Sequence, residues 1–283
     1  QRLSRGLGDV YKRQDSYNVL NKISAFSDFS EDIVIPTMEE CAKFSEEVLA
    51  PINAIGDQQG ATIKDGVVTM PEEFVDAYQK FAEAGWASIS LPSDIGGGGM
   101  PITLSGGTLE ILSTANLAFG LAPGLSAGAI SAINFHGSQE QKDKFLPKLV
   151  SGEWTGTMNL SEPQSGSDLG TITTKAEPQE DGSYKITGTK VWITFGEHNM
   201  TENIIHLVLA KVPGSPEGTK GISMFIVPKY TVNDDGSVGD SNNVSCISIE
   251  EKLGIHASPT CVMEYDGSVG YLVGEENRGL NYM

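Results

Sequence analysis

The chain has 283 residues, 39% of them hydrophobic, and carries 37 acidic against 19 basic side chains, a formal net charge of −18. That length is enough to bury a real core and to form more than one domain. The charge repels nucleic acid and anionic lipid surfaces, so neither is expected as a general partner, and an anionic ligand would have to be held by local backbone N–H groups and hydroxyls.

Cys41, Cys246 and Cys261 form no CxxC pair, and His136, His198, His206 and His256 are scattered. No metal site is therefore expected. So few thiols in a chain of this length point to a reducing compartment, and so to a cytoplasmic location. No apolar run reads as long enough to cross a bilayer, and the N-terminus lacks the apolar stretch of a signal peptide. Residues 1–14 (QRLSRGLGDVYKRQ) are basic and Gly-spaced, unlike the acidic body. They read as a non-native leader.

In chain order, residues 15–36 read as an exposed lead-in. A helix is predicted from Pro36-Thr37, with Thr37 and Glu40 as a capping box and Pro51 as its end. A loop follows from Gly56 to Val67. Pro71 starts a second helix, with Glu72 and Glu73 in its first turn and Phe74, Ala77, Tyr78, Phe81 and Ala82 on one face. Gly96 to Gly99 lack the Lys-Ser/Thr ending of a phosphate loop and read as a turn. Residues 101–120 and 123–136 read as buried helices. Ser138 and Gln141 cap another helix, which Pro147 should kink or end early. The period changes after Trp154. Strands are predicted at 171–175, 184–189, 190–194, 204–211, 222–227, 244–249 and 260–265, with Asp181-Gly182 as a hairpin turn, and together they suggest a small barrel or sandwich.

Two clusters carry chemistry. Asn159-Leu160-Ser161-Glu162-Pro163-Gln164-Ser165-Gly166-Ser167-Asp168 concentrates hydroxyls and turn-formers. Such a loop can hydrogen-bond a planar heterocycle and a phosphate without added charge, although a polar turn has the same composition. In Lys190-Val191-Trp192-Ile193-Thr194, Trp192 and Thr194 are two apart and should share a strand face. An indole beside a hydroxyl can flank a ring system and donate to it, but an ordinary half-buried strand reads the same way.

Taken together, the two clusters resemble the flavin-site signatures of the acyl-CoA dehydrogenases, at that family's usual separation. Trp154 to Met158, Lys252 to Thr260 and Val269 to Leu280 are similar to its other landmarks. The likeness runs from about residue 37 to the end and is most like the longer-chain, 3-(methylthio)propionyl-CoA dehydrogenase-like branch. It implies a multidomain α and β architecture: an N-terminal α-helical domain (15–153), a middle β-barrel domain (154–270) and the start of a C-terminal four-helix domain (271–283), the rest of which is missing. It further implies FAD as cofactor and α,β-dehydrogenation of an acyl-CoA thioester in fatty acid metabolism. Met158, Asn159, Leu160 and Ser161 would line the flavin pyrimidine edge through backbone groups and the Ser161 hydroxyl. Ser167 would touch the phosphopantetheine arm of the substrate and lie near the cofactor phosphates. Trp192 would flank the isoalloxazine, with Ile193 beside it, and Thr194 would donate toward N5. Met158 departs from the aromatic often found there. Glu162 belongs to the signature as a structural residue. The catalytic glutamate is expected in the missing C-terminal domain, so no catalytic residue is assigned and the chain alone is expected to be inactive. An electron-transfer flavoprotein partner and a homodimer or homotetramer are implied for the complete protein. The alternatives are an acyl-CoA oxidase or flavin monooxygenase of the same superfamily, or a non-catalytic DNA-binding relative.

Overall fold

The computed structural model describes residues 16–27 and 29–283, so the leader expected at 1–14 lies outside the described residues. Helix α1 (Ser16–Leu20) and a 3-10 turn (Ser24–Phe26) precede α2 (Glu31–Phe44). Helix α2 begins several residues earlier than predicted. Glu31 and Asp32 occupy its first turn, where the macrodipole favours them, and Pro36 lies inside the helix. The Thr37 capping box does not form, because the Thr37 hydroxyl donates back to the carbonyl of Ile33 at 2.7 Å. Pro51 likewise does not stop the chain. A π-helical turn (Ser45–Leu49) leads into α3 (Ala50–Gln59), and Pro51 falls in the first turn of α3, where its missing N–H goes unneeded. Within the predicted loop lies a hairpin, β1 (Thr62–Lys64) and β2 (Val67–Thr69). Its turn is Asp65-Gly66 with φ of 51° and 80°, the left-handed pair that a two-residue hairpin turn requires.

Helix α4 (Glu72–Glu83) buries Phe74, Ala77, Tyr78 and Phe81 as predicted. The glycine run that follows has no amides to spare for a phosphate. Gly97, Gly98 and Gly99 donate to the carbonyls of Pro92, Ser88 and Leu91 at 2.9–3.0 Å. Helices α5 (Ile102–Ala115) and α6 (Leu117–His136) break at Asn116, whose side chain caps α6 by accepting from Phe119 N at 3.1 Å. Pro123 lies inside α6. By length and composition α6 could cross a bilayer, which corrects the reading that no run could, but half of its apolar window is buried inside the molecule. Helix α7 (Gln139–Ser151) has the predicted Ser138–Gln141 capping box and runs on through Pro147.

The strands are β3 (Trp154–Asn159), β4 (Lys175–Pro178), β5 (Tyr184–Thr194), β6 (Asn203–Lys211), β7 (Ile222–Pro228), β8 (Tyr230–Val232), β9 (Val238–Ser241), β10 (Val244–Glu250) and β11 (Thr260–Leu272). Strand β3 was not predicted; of the strand predicted at 171–175, Thr171 ends a 3-10 turn (Leu169–Thr171), 172–174 are irregular and the strand β4 begins only at Lys175; and the two segments predicted at 184–194 are one continuous β5. Seven strands form one sheet in the order β10-β11-β5-β4-β6-β3, and β7 pairs with both β6 and β11, so the pairings run round a ring. A short helix, α8 (Gly279–Tyr282), follows β11.

Three apolar clusters hold this together. One joins α2 to α6 around Phe74, Phe81 and Phe119. The second packs α6 and α7 onto Ile205, Leu207, Leu209, Met224 and Ile226. The third gathers Val208, Ala210, Phe225 and Val227 with residues of β5, β10 and β11. Strand β6 feeds alternate residues into the last two clusters, so it is covered on both faces and is almost continuously apolar.

Candidate functional site

Strand β3 aims the first cluster. Its residues alternate: Gly156 and Met158 face α6, while Thr155, Thr157 and Asn159 face the opposite side. At Gly156 the strand meets the helix so closely that a Cβ would stand 2.4 Å from the Ala129 methyl, and a Cβ on Gly128 would stand 3.5 Å from the Met158 sulfur. On the other face, His198 Nε2 bonds the Thr155 hydroxyl at 2.9 Å and His206 Nδ1 bonds the Thr157 hydroxyl at 2.7 Å. Asn159 accepts from the Tyr265 hydroxyl at 2.9 Å and donates to Thr157 at 2.8 Å. The Asn159 side chain is thus fully buried and spent inside the molecule. Its backbone, with the half-buried Met158, Leu160 and Ser161, is what the strand end offers outward.

The loop that follows is built around Glu162. Its backbone exchanges two hydrogen bonds with Ser165, the Ser165 hydroxyl donates to Asp168 O at 2.6 Å, and the Asp168 carboxylate accepts from Gly170 N at 2.8 Å. The Glu162 carboxylate accepts from the N–H and hydroxyl of both Thr173 and Thr174 and from Gln164, at 2.6–3.0 Å. It also pairs with Lys190 at 2.9 Å, and both side chains are almost wholly buried. Burial opposes the carboxylate charge, but the Lys190 ammonium and the threonine donors outweigh it and hold Glu162 down at about 2. Burial pulls Lys190 down to about 8 against the opposing pull of Glu162. Both therefore carry charge at neutral pH. Ser167 is exposed on the outside of this loop.

The second cluster ends β5. Lys190 pairs with Met263 and Ile193 with Cys261, so Val191 and Trp192 together stand opposite Val262 in a β-bulge. Trp192 takes φ 60°, the left-handed region that L-residues rarely adopt, and its side chain is 53% exposed. The Val191 amide, freed by the bulge, donates to Ser161 O at 2.9 Å. A Cβ on Gly166 would lie 3.6 Å from the Trp192 ring and 3.9 Å from the Ser161 hydroxyl. Trp192, Gly166 and Ser161 therefore meet. Ile193 turns into the core, and half-buried Thr194 pairs with Thr260 at the start of β11. The segment before Thr260 anchors to α3: Ala61 N donates to His256 O at 2.9 Å, and His256 Nδ1 lies 2.8 Å from Asp57 O.

This surface offers a fixed indole open to one side, a neighbouring hydroxyl, a glycine with no side chain beneath the ring, and the backbone of a strand end. Those features suit a planar heterocycle with a polar edge, which is the chemistry of an isoalloxazine. No His/Cys/Asp/Glu group suited to a metal occurs among the described residues. Sequence reasoning treated Glu162 as structural without finding its partner and missed the Tyr265–Asn159–Thr157–His206 network. The available signal was a lone lysine heading an otherwise apolar strand end, opposite a glutamate in the other loop.

Known proteins share this arrangement of elements. Residues 36–153 match the acyl-CoA dehydrogenase N-terminal domain model, and residues 157–268 match the acyl-CoA dehydrogenase middle domain model. The chain is 48% identical over 261 residues to 3-methylmercaptopropionyl-CoA dehydrogenase of Ruegeria pomeroyi, covering 92% of this chain and 44% of that protein. It is 39% identical to a butyryl-CoA dehydrogenase of Syntrophomonas wolfei, covering 94% and 42%. Among solved structures, an acyl-CoA dehydrogenase complexed with FAD from Bacillus anthracis superposes with a TM-score of 0.71 at 26% identity, covering 90% of this chain and 40% of that one. The chain spans less than half the length of these relatives. By two family models that together cover most of its residues, the chain belongs to the acyl-CoA dehydrogenase family.

Proposed function

We propose that this chain forms the flavin side of an FAD-dependent acyl-CoA dehydrogenase, with the sheet ring as the family's middle barrel. One observation carries the reading: two loops about thirty residues apart are joined by a buried ion pair, and between them they hold an outward-facing tryptophan beside a serine hydroxyl. FAD, when bound, supplies hydride acceptance during α,β-dehydrogenation of the thioester. Trp192 would flank its ring system and exclude water from one side. The backbone of Met158 to Ser161 and the Ser161 hydroxyl would hold its polar edge, and Thr194 would donate a hydrogen bond to it. Ser167, exposed on its loop, takes the phosphopantetheine arm of the acyl-CoA.

A base that removes an α-proton needs a carboxyl group raised toward the working pH. Glu162 is held at about 2 beside Lys190; Glu197 is raised by burial, but its carboxylate is paired with Lys229 at 2.5 Å, away from the Trp192 loop pair. We therefore assign no base among the described residues, and the chain by itself is expected not to turn over substrate. An electron-transfer flavoprotein as acceptor, homo-oligomeric assembly and a cytoplasmic location belong to the same proposal.

The test is an assay of a full-length protein carrying this stretch, with acyl-CoA thioesters, an electron-accepting dye and an oxygen electrode. Enoyl-CoA formed with dye reduction supports dehydrogenation. Rapid oxygen consumption with peroxide points to an oxidase instead, and no enoyl-CoA with any thioester overturns the reading.

A further inference from the structure

The Glu162–Lys190 pair does more than close a loop. Removing two charges from water costs about as much as their attraction returns, so a buried pair is weak evidence of added stability. Its connections indicate another use. Lys190 Nζ donates both to Glu162 at 2.9 Å and to the carbonyl of Leu160 at 2.9 Å. One residue further along each loop, Val191 N donates to Ser161 O at 2.9 Å. The next residue of β5 is Trp192, at φ 60°, a conformation that persists only where its surroundings impose it. The loop carrying Ser161 and the bulge carrying Trp192 are thus joined by three adjacent polar contacts centred on Lys190. Glu162 is fixed in turn by Thr173 and Thr174.

We infer that Glu162 and Lys190 are positioning residues for the flavin site, setting the Trp192 ring and the Ser161 hydroxyl relative to one another by locking the β5 bulge to the 160–162 loop. Both side chains are buried, so neither is presented to a ligand. The inference rests on the flavin reading above.

The test uses a full-length protein carrying this stretch with Glu162→Gln and Lys190→Met combined, which removes both charges at similar volume so that neither is left buried alone. Circular dichroism and thermal unfolding report the fold, hydrogen exchange of the Val191 amide reports the lock without ligand, and fluorescence titration reports FAD affinity. A retained fold, with Val191 exchange faster and FAD dissociation constant raised by about tenfold or more, is the expected result. Lys190→Arg, which keeps the charge and donors, should recover part of both. A retained fold with both readouts within about twofold of the unmodified chain overturns the inference while leaving the flavin reading standing. An unmodified full-length protein that binds no FAD overturns the flavin reading, and the inference with it. Should that double variant not fold, Glu162→Gln combined with Lys190→Gln, which again leaves no charge buried alone, is judged by the same two readouts, with the same outcomes deciding.

Discussion

Trp192 combines a left-handed backbone, an exposed ring and a place beside Ser161. A left-handed φ costs an L-residue about 1–2 kcal/mol, and glycine escapes that cost. Trp192→Gly should therefore leave the urea midpoint nearly unchanged or slightly raised, since little buried surface is lost. Loss of the ring should weaken FAD binding by about tenfold, or ~1.4 kcal/mol. A large loss of stability with unchanged FAD affinity would show that the indole serves the fold instead. The two clusters that the structure brings together at Trp192, Gly166 and Ser161 were legible in the sequence, because hydroxyl, glycine and tryptophan positions are local features of two short runs. Strict alternation, by contrast, puts Lys190, Trp192 and Thr194 on one face. The bulge separates buried Lys190 from the other two, and nothing local in Lys-Val-Trp-Ile-Thr marks it. The partnership of Glu162 with Lys190 depends on two distant segments meeting, which no single stretch of sequence records.

At the scale of elements, the closest approach of α6 to β3 places Met158 and the strand end against the helix. An alanine at 156 would put its methyl 2.4 Å from that of Ala129 unless the helix moves. Gly156→Ala is thus expected to destabilise the chain by about 1–3 kcal/mol in urea unfolding, through overpacking. It should also weaken FAD binding if the strand end shifts. Where sequence patterns misled, the cause was proline and the short strand. Pro36 and Pro51 read as boundaries in the sequence, yet one is tolerated inside α2 and the other falls in the first turn of α3, where it belongs sterically. Strand β3 escaped notice because Trp-Thr-Gly-Thr-Met-Asn puts two hydroxyls and an amide on one face and a glycine on the other, so neither face reads as apolar. Those hydroxyls are buried against histidines, so polarity there does not signal solvent. Helices α4 and α7 were legible because their apolar spacing and caps agree with their packing.

At the scale of the whole molecule, the buried histidines govern acid behaviour. Burial first, and then the positive charge of Lys229, lower His198 and His206 from 6.5 to about 3. In the unfolded chain these rings take up protons as pH drops below about 6.5, whereas in the folded chain they stay neutral to about 3. The unfolded state therefore binds more protons across that window. Stability is fully present above it and falls as pH drops through it, by about 1.4 kcal/mol per pH unit for each histidine. Urea unfolding at a series of pH values should show that slope, and His206→Asn should make it shallower. A pH-independent midpoint between 6 and 4 would show that these rings are not held neutral. The 283-residue chain assayed alone should produce no enoyl-CoA, since Glu162 and Glu197 are already engaged. Steady turnover would reveal a base among the described residues. The central claim, that two distant loops form one flavin site, is tested most directly by incubating a purified full-length protein carrying this stretch with FAD, removing free ligand on a desalting column and recording the visible spectrum. A yellow protein that retains FAD, and retains less of it when Trp192 is replaced, is the expected result; a full-length protein that elutes colourless after incubation with excess FAD contradicts the site.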